Sequence, residues 1–544
     1  MTEKTKAPKK PRNRRKPTRI WRLVTNQQNM LYMLAAGMVM SPAGFRGKHY
    51  ADPLSDYPGW IPLFRDKAGI PAMALDEATS ERKHLLPCIA SFDLHGLSAD
   101  LQMLPCKGKT RAVSALPERK GKNELAALVR SPFPLSSLST LSFRSREDLE
   151  AFKTAAGEVS NIDPPSHLME VSESLFAEAT DRVWPPNGVD VGLALGDTPP
   201  VFGLALGGVI AMLYHAANRS ALGLAAFRSI TGGASDKDEA LVQGDPMLAE
   251  LPAWVKGDAP AGSDTRARLF WGVVQSLIDA QTSGGSRAPV DVTLAYLESQ
   301  LDRLPETKFR PHLERLITDM RGSFGLDGGT ATELFERNKG GLSRSLVLFC
   351  LREHCVELLD FSHPLLSDVD YVLACILFGV RDTWLQIPRE MRRPDLSAYV
   401  SFRMAGAEHR RQGNDLVMDA PRRPSPLIEL FASSGGGLNG MTKGLALEFA
   451  VQSNWHDCIR TRITLAQGDW PERFERKGSQ IVLPGRIKCT EELVESVFLR
   501  RLGQWPPVSS GVEREIREKL KRIAEPQEQG QEALANEDDS KPAA

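Results

Sequence analysis

The period of apolar and polar positions changes several times along the chain, and the changes divide it. Residues 19–24 (RIWRLV) alternate as a half-buried strand does, TNQQN is a polar turn in which Thr25 or Asn26 can cap a helix, and MLYMLAAGMVM continues as a helix closing near Gly37. KHLLPCIASFDL (83–94) predicts a buried strand. LSTLSFRSREDLEAFKTAAGEV (138–159) predicts a strand and then a helix capped by Ser145, with Asp148 at its electropositive end. Together these make an α+β domain over 19–165.

The pattern then becomes apolar all round. Thr198–Ser229 carries no charge from Val201 to Ala217 and opens on Pro199-Pro200, where a helix can begin because its first N–H groups need no internal partner. Gly203 and Gly207, one turn apart, admit another backbone. The apolar run is shorter than the roughly 20 residues of a bilayer span, and Tyr214, His215, Asn218 and Arg219 follow at once. A buried helix between two halves is expected, with no transmembrane segment. Residues 166–260 hold this helix and its connections, of which 230–246 and 256–264 are Gly/Asp/Pro-rich.

Helical spacing returns in TRARLFWGVVQSLIDAQ, DVTLAYLESQLDRL, RPHLERLITDM, SRSLVLFCLREHCVELL and SDVDYVLACILFGVRDTWLQ, with expected caps at Asp264, Asp291, Ser343 and Ser367. This is a helical domain over 261–424. Strand-like IRTRITL and QIVL and a helix capped by Thr490 predict a small α+β unit over 425–524. The expected fold is an α+β N-terminal domain followed by a mainly α-helical region and a small C-terminal α+β unit.

Composition adds location rather than class. With 544 residues, 42% hydrophobic and 25% charged, the chain can bury two or three cores. Its 68 basic and 68 acidic residues cancel, so any electrostatic function is local. Seven cysteines without regular spacing suit reduced thiols in the cytoplasm, and no apolar stretch directly follows the basic start as a secretory signal requires. Ten Lys or Arg fall in residues 1–22, with prolines at 8, 11 and 17. Residues 1–18 are therefore an expected disordered arm, and Lys9, Lys10, Arg12, Arg14, Arg15 and Lys16 are candidate phosphate contacts on DNA or RNA, a solubilising tail being the alternative. The run 106–122 offers Lys107, Lys109, Arg111, Arg119, Lys120 and Lys122 on an expected loop, with a solvated loop as the plain reading. Residues 525–544 form an acidic, expectedly disordered tail.

Candidate chemistry is sparse. Cys350, His354, Cys355 and His363 cluster in sequence, with Cys350 and His354 expected on one helix face, but the spacing is not a zinc pattern and helical cysteines among Leu, Val and Phe suit a core. SSGGGLNGMTKGLALEFA (433–450) could offer backbone N–H groups to a phosphate at a helix start, although Met441 and Thr442 separate Gly440 from Lys443 where a phosphate loop has none. There is no Ser-His-Asp order, carboxylate pair or dinucleotide fingerprint. The expected function is a nucleic-acid- or protein-binding subunit of a larger intracellular assembly, of bacterial defence type, using no cofactor or metal.

One stretch points elsewhere. RIWRLVTNQQNMLYMLAAGMVM resembles the opening of ADP-ribosyltransferase folds, in particular the DNA-targeting ADP-ribosyltransferase toxins, with a strand, a turn carrying an asparagine, and a short helix closed by glycine. Asn29 and Gly37 fall on that pattern, and WIPLF (60–64) is similar to the family's apolar strand entering the NAD site, with Arg65 beyond it. The resemblance implies an NAD-dependent ADP-ribosyltransferase-like enzyme with its site in 19–165 and with Asn29, Tyr32 and Arg65 as cofactor-binding residues. The chain departs from the family in having Asn26 where the toxins place a histidine that contacts the nicotinamide cofactor, and no glutamate is assigned to activate the acceptor. Read locally, Asn29 is a polar helix start and Gly37 a left-handed C-terminal position.

Overall fold

The computed structural model describes residues 20–41, 59–65, 86–177 and 200–421, the last two apart from short stretches, and five strands between 445 and 489. The arm 1–18, the glycine run 433–443, the helix expected from Thr490 and the tail 525–544 lie outside the described residues.

The first part is built from β1 (Ile20–Asn26), α1 (Gln27–Ala36), β2 (Met38–Val39), β3 (Trp60–Leu63), β4 (Pro87–Asp93), β5 (Ser98–Pro105), β6 (Arg111–Ala115), β7 (Glu124–Arg130), β8 (Phe133–Pro134), β9 (Leu138–Phe143), α2 (Arg146–Glu158), β10 (Met169–Val171) and α3 (Glu173–Ala177). Two four-stranded sheets result, in the orders β1-β4-β9-β10 and β3-β7-β5-β6, with β2 paired to β8 beside them. The first is antiparallel except for β9–β10. A bridge between Arg22 and Phe64 joins the sheets where β1 meets the end of β3, through reciprocal backbone bonds of 2.7 and 2.8 Å. Burial follows strand position: β7, between neighbours, is buried from Leu125 to Val129, whereas edge strand β6 is exposed along most of its length. The loop expected at 106–122 is thus a strand over 111–115, because Arg111, Ala112 and Val113 find ladder partners in β5.

The helical part comprises α4 (Val201–Ala216), α5 (Ala221–Thr231), α6 (Asp236–Gly244), α7 (Leu251–Lys256), α8 (Thr265–Thr282), α9 (Pro289–Leu301), α10 (Phe309–Gly322), α11 (Gly328–Arg337), α12 (Gly341–Leu351), α13 (Cys355–Asp360), α14 (Asp368–Gln386) and α15 (Pro394–Arg411). Every residue of α4 except His215 is buried. The expected single helix to Ser229 is two, because Ser220 takes an extended backbone and its hydroxyl accepts from Gly223 N at 2.9 Å, starting α5 anew. The expected connection at 230–246 contains α6, which Ser235 and Asp238 start with a reciprocal capping box.

Asp264 and Ser367 cap their helices as expected. Asp291 and Ser343 do not. Pro289 stands at the first position of α9 and places Asp291 inside its first turn, and Ser343 lies buried within α12, 2.8 Å from His312 Nε2. The helix expected over 343–359 breaks after Leu351. Arg352 is extended there and its carbonyl accepts from Arg381 Nη1 at 2.9 Å, so Cys350 and His354 do not share one helix face. Beyond these helices stand β11 (Leu445–Asn454), β12 (Asp457–Leu465), β13 (Glu475–Lys477), β14 (Gln480–Leu483) and β15 (Ile487–Cys489), with β11–β12 and β13–β14–β15 each antiparallel. The run after Gly444 is therefore strand, not helix.

One core runs from Trp21 to Ala407, so the sheets and helices share an interior, and a second, smaller cluster around Val24, Trp60, Phe64 and Ile89 lies apart from it. Three contacts tie α1 and its end to the helical part. Ser401 Oγ donates to the Gly37 carbonyl, Arg392 Nη1 donates to the Ala35 carbonyl at 2.8 Å, and Trp384 covers Gly37. Among the described residues no helix is long and apolar enough to cross a membrane.

Candidate functional site

The junction of the two sheets carries the residues that the resemblance singles out. Asn26 ends β1 in an extended conformation, and its side-chain oxygen accepts from Gln28 N at 3.0 Å and Asn29 N at 3.1 Å, satisfying two of the helix's open donors. Asn29 is buried and its amide donates to Thr25 Oγ1 at 3.3 Å, back onto the strand. Tyr32, three residues on and hence on a neighbouring face, is half-buried. Gly37 closes the helix at φ 70°, a left-handed backbone that glycine adopts without strain. A Cβ there would lie 2.9 Å from Trp384 Nε1 and 3.3 Å from Met404 Cε, so the position is closed to side chains by packing as well as by backbone.

Arg65 belongs to the other end of β1. Its Nη1 donates to the Pro117 carbonyl at 3.2 Å, its guanidinium lies over the Trp21 ring at 5.8 Å, and its own carbonyl accepts from Arg22 Nη1 at 3.0 Å. Thr25, which holds Asn29, and Trp21, which underlies Arg65, are four residues apart on one strand, or about 13 Å at roughly 3.3 Å per residue. Asn29, which is buried, and Arg65 thus stand toward opposite ends of β1 rather than side by side.

No family model matches the chain, and no curated protein matches it. Two solved structures do. They are Thermus sp. 2.9 DarT in complex with carba-NAD+, at TM-score 0.23 and 14% identity over 30% of this chain and 99% of that one, and the same protein in complex with NAD+, at TM-score 0.21 and 15% identity over 30% and 98%.

Of the basic candidates, Lys109 and Arg111 are described and exposed, at the start of β6. Arg111 pairs with Glu124 at 3.2 Å but stays 67% exposed, a geometry that lends little stability. Lys9, Lys10, Arg12, Arg14, Arg15, Lys16, Lys107, Arg119, Lys120 and Lys122 lie outside the described residues. The cysteine–histidine group is dispersed. Cys350 is a buried thiol whose pKa burial pushes up to about 12, Cys355 is also raised by burial and by Asp382, and His363 Nε2 lies 3.0 Å from Thr332 Oγ1. Raised thiols are poor nucleophiles and poor metal ligands. Cys88, Cys350, Cys355 and Cys375 are free and buried.

Two ionisable neighbours on α15 carry no sequence motif. Glu408 accepts from Gly203 N at 3.4 Å, at the start of α4, and burial lifts its carboxyl to about 7. His409, fully buried, sits with Nε2 2.6 Å from the Pro132 carbonyl, and burial lowers its pKa. Only the helical period of 394–411, in which position 408 falls on the apolar face, could have marked Glu408 beforehand.

Proposed function

We propose that the N-terminal α+β part is an NAD-dependent ADP-ribosyltransferase-like domain. The observation that carries this reading is the joint between the two sheets, where β1 runs into an asparagine-capped helix closed by a left-handed glycine while β3 abuts β1 through the Arg22–Phe64 bridge. In this reading NAD lies along the β1 junction, with Asn29 and Tyr32 toward one end and Arg65 toward the other. Asn26 replaces the family's histidine, and its side chain is engaged as a helix cap, so it supplies no imidazole to the cofactor. The acceptor-activating glutamate is unassigned.

Full-length protein incubated with labelled NAD and, in turn, single-stranded DNA, duplex DNA, RNA and protein acceptors tests the reading. Transfer to any acceptor, weakened in Arg65→Ala through loss of a charge-assisted contact, supports it. No transfer together with no NAD binding by calorimetry removes it.

A second reading rests on a different observation, the exposure of Lys109 and Arg111 at an edge strand. There the chain is a polyanion-binding subunit whose basic arm and 106–122 segment engage DNA or RNA phosphates. The two readings are compatible, since an enzyme that modifies nucleic acid must also hold it.

A further inference from the structure

The helical part contains a cavity that the transferase reading does not use. It measures about 490 Å³ and lies between the start of α9, the ends of α12 and α14, and the link before α13. That volume falls within the range of about 300–1,000 Å³ typical of small-molecule sites and far exceeds a single ion or water. Two of its lining residues, Arg381 and Asp382, immediately precede a break in α14. Thr383 adopts φ 49°, ψ 178°, which a β-branched residue tolerates only where its surroundings impose it. The break frees the carbonyls of Val380 and Arg381, and Gln281 Nε2 caps both at 3.0 Å.

Arg381 forms a rigid polar wall of this cavity. It grips Asp382 through Nε and Nη2 at 2.6 and 2.9 Å, donates from Nη1 to the Arg352 carbonyl at 2.9 Å, and lies over the Phe378 and Phe349 rings at 4.4 and 5.2 Å. Its side chain is only 8% exposed, and a guanidinium has five N–H groups, so two donors remain on a nearly buried group that lines the space. The charged lining residues balance, Arg352 and Arg381 against Glu353 and Asp382, with His354 beside them. A charged ligand would lose its hydration with no net field to replace it. A neutral one would not. Donors from Arg381 beside the carboxylate of Asp382 and the amide of Gln386 match an edge that carries both acceptors and donors, and the half-buried Pro289 and Val290 supply apolar contact.

We propose that this cavity binds a small, neutral, planar heteroaromatic molecule of nucleobase or nucleoside size, held at its polar edge by Arg381 and Gln386 and against Pro289 and Val290 elsewhere. Cys355, hydrogen-bonded to Asp382 with its thiol pKa raised, helps to fix the wall and does no chemistry.

Calorimetric titration of the full-length protein with adenosine, guanosine, cytidine and thymidine, and with phenyl phosphate as a charged aromatic control, tests this. Saturable binding of at least one nucleoside is expected, at least about 10-fold weaker in Val290→Trp, which fills the cavity from half-buried α9, and in Gln386→Ala, whose exposed side chain can be cut without disturbing the core. Thermal melting of each variant shows whether it folds. If Val290→Trp fails to fold, Gln386→Ala carries the test. The proposal is overturned if none of the nucleosides binds saturably, if the folded variants bind as the parent does, or if phenyl phosphate binds as tightly as the best nucleoside.

Discussion

Gly208 and Gly379 touch backbone to backbone where α4 crosses α14. A Cβ on Gly208 would meet the Gly379 carbonyl, with the carbonyl carbon at 2.9 Å, and one on Gly379 would lie 2.5 Å from Val209 N. Neither neighbour is a flexible side-chain tip. Two hydrogens in place of methyl groups are what permit this backbone-to-backbone crossing.

Gly208→Ala should therefore cost more than a usual overpacking change, at or above the upper end of about 1–3 kcal/mol, because two helices must separate. Gly207→Ala should cost less, since its Cβ would meet chiefly the Met404 side chain, which can repack, with Trp384 Cβ at 3.2 Å. Gly244→Ala, with nothing within 4 Å, should be neutral or stabilising by up to about 1 kcal/mol through helix propensity. Urea denaturation of the three variants gives the order. Equal midpoints would refute the crossing.

The sequence made this crossing half legible. An uncharged run identified α4, but the glycines one turn apart, Gly203 and Gly207, face Met404 of α15, while Gly208 makes this crossing and nothing in DYVLACILFGVRDTW marks Gly379 as its partner, because a lone glycine in a helical pattern has many causes. The same division holds at the candidate site. Asn26, Gly37 and the strand WIPL were readable because capping, left-handed closure and apolar runs are local. The joint between the sheets was not, since the Arg22–Phe64 bridge links residues 42 positions apart and depends on how two sheets pack. Breaks also escaped notice. The end of α12 is set by Arg381 reaching the Arg352 carbonyl, a tertiary contact that helical periodicity cannot contain.

Arg392 provides a second test of the joint between the two parts. Its buried guanidinium donates to the carbonyls of Ile387 (2.8 Å), Ala35 (2.8 Å) and Trp384 and lies over the Trp384 ring at 4.7 Å, while burial lowers its pKa to about 9. Arg392→Met should destabilise by about 3 kcal/mol or more, because three buried carbonyls lose a charged donor at once. Arg392→Lys should recover little, as one ammonium cannot reproduce the fork. Full recovery by lysine in a thermal melt would show that charge alone, not geometry, holds the joint.

Glu408 should make stability fall as pH rises. Its folded pKa of about 7 lies above the ordinary 4.5, so the folded state binds more protons between those values, and the contribution is complete below about pH 4.5 and lost through pH 7. The full change is up to about 3 kcal/mol at 1.36 kcal/mol per unit. His409, whose pKa is lowered, acts oppositely: its contribution is present above its unfolded pKa and lost as pH falls. Glu408→Gln should flatten the decline and be the more stable protein at pH 8. A parent and variant with parallel stability–pH curves would show that Glu408 titrates normally.

The N-terminal arm makes the most distinctive prediction for binding. Ten cations in the first 22 residues can displace counterions condensed on nucleic acid, and about 4–6 phosphate contacts give a log–log salt slope of roughly −4 to −5 on duplex DNA. Deleting residues 2–18 removes eight of them, from Lys4 to Lys16, yet leaves Arg19 and β1, so the slope should flatten while the melting temperature holds. Changes of base sequence should matter little, since lysine and arginine on such a segment meet phosphates rather than base edges. The two functional readings then separate cleanly. If the truncated protein still transfers ADP-ribose to a small soluble acceptor but loses transfer to DNA, the arm delivers substrate to the sheet junction. If the slope survives truncation, the positive surface lies at Arg111 on β6 and at Lys109 just before it, and Lys109→Ala with Arg111→Ala should remove about two phosphate contacts and shift the slope by roughly 2.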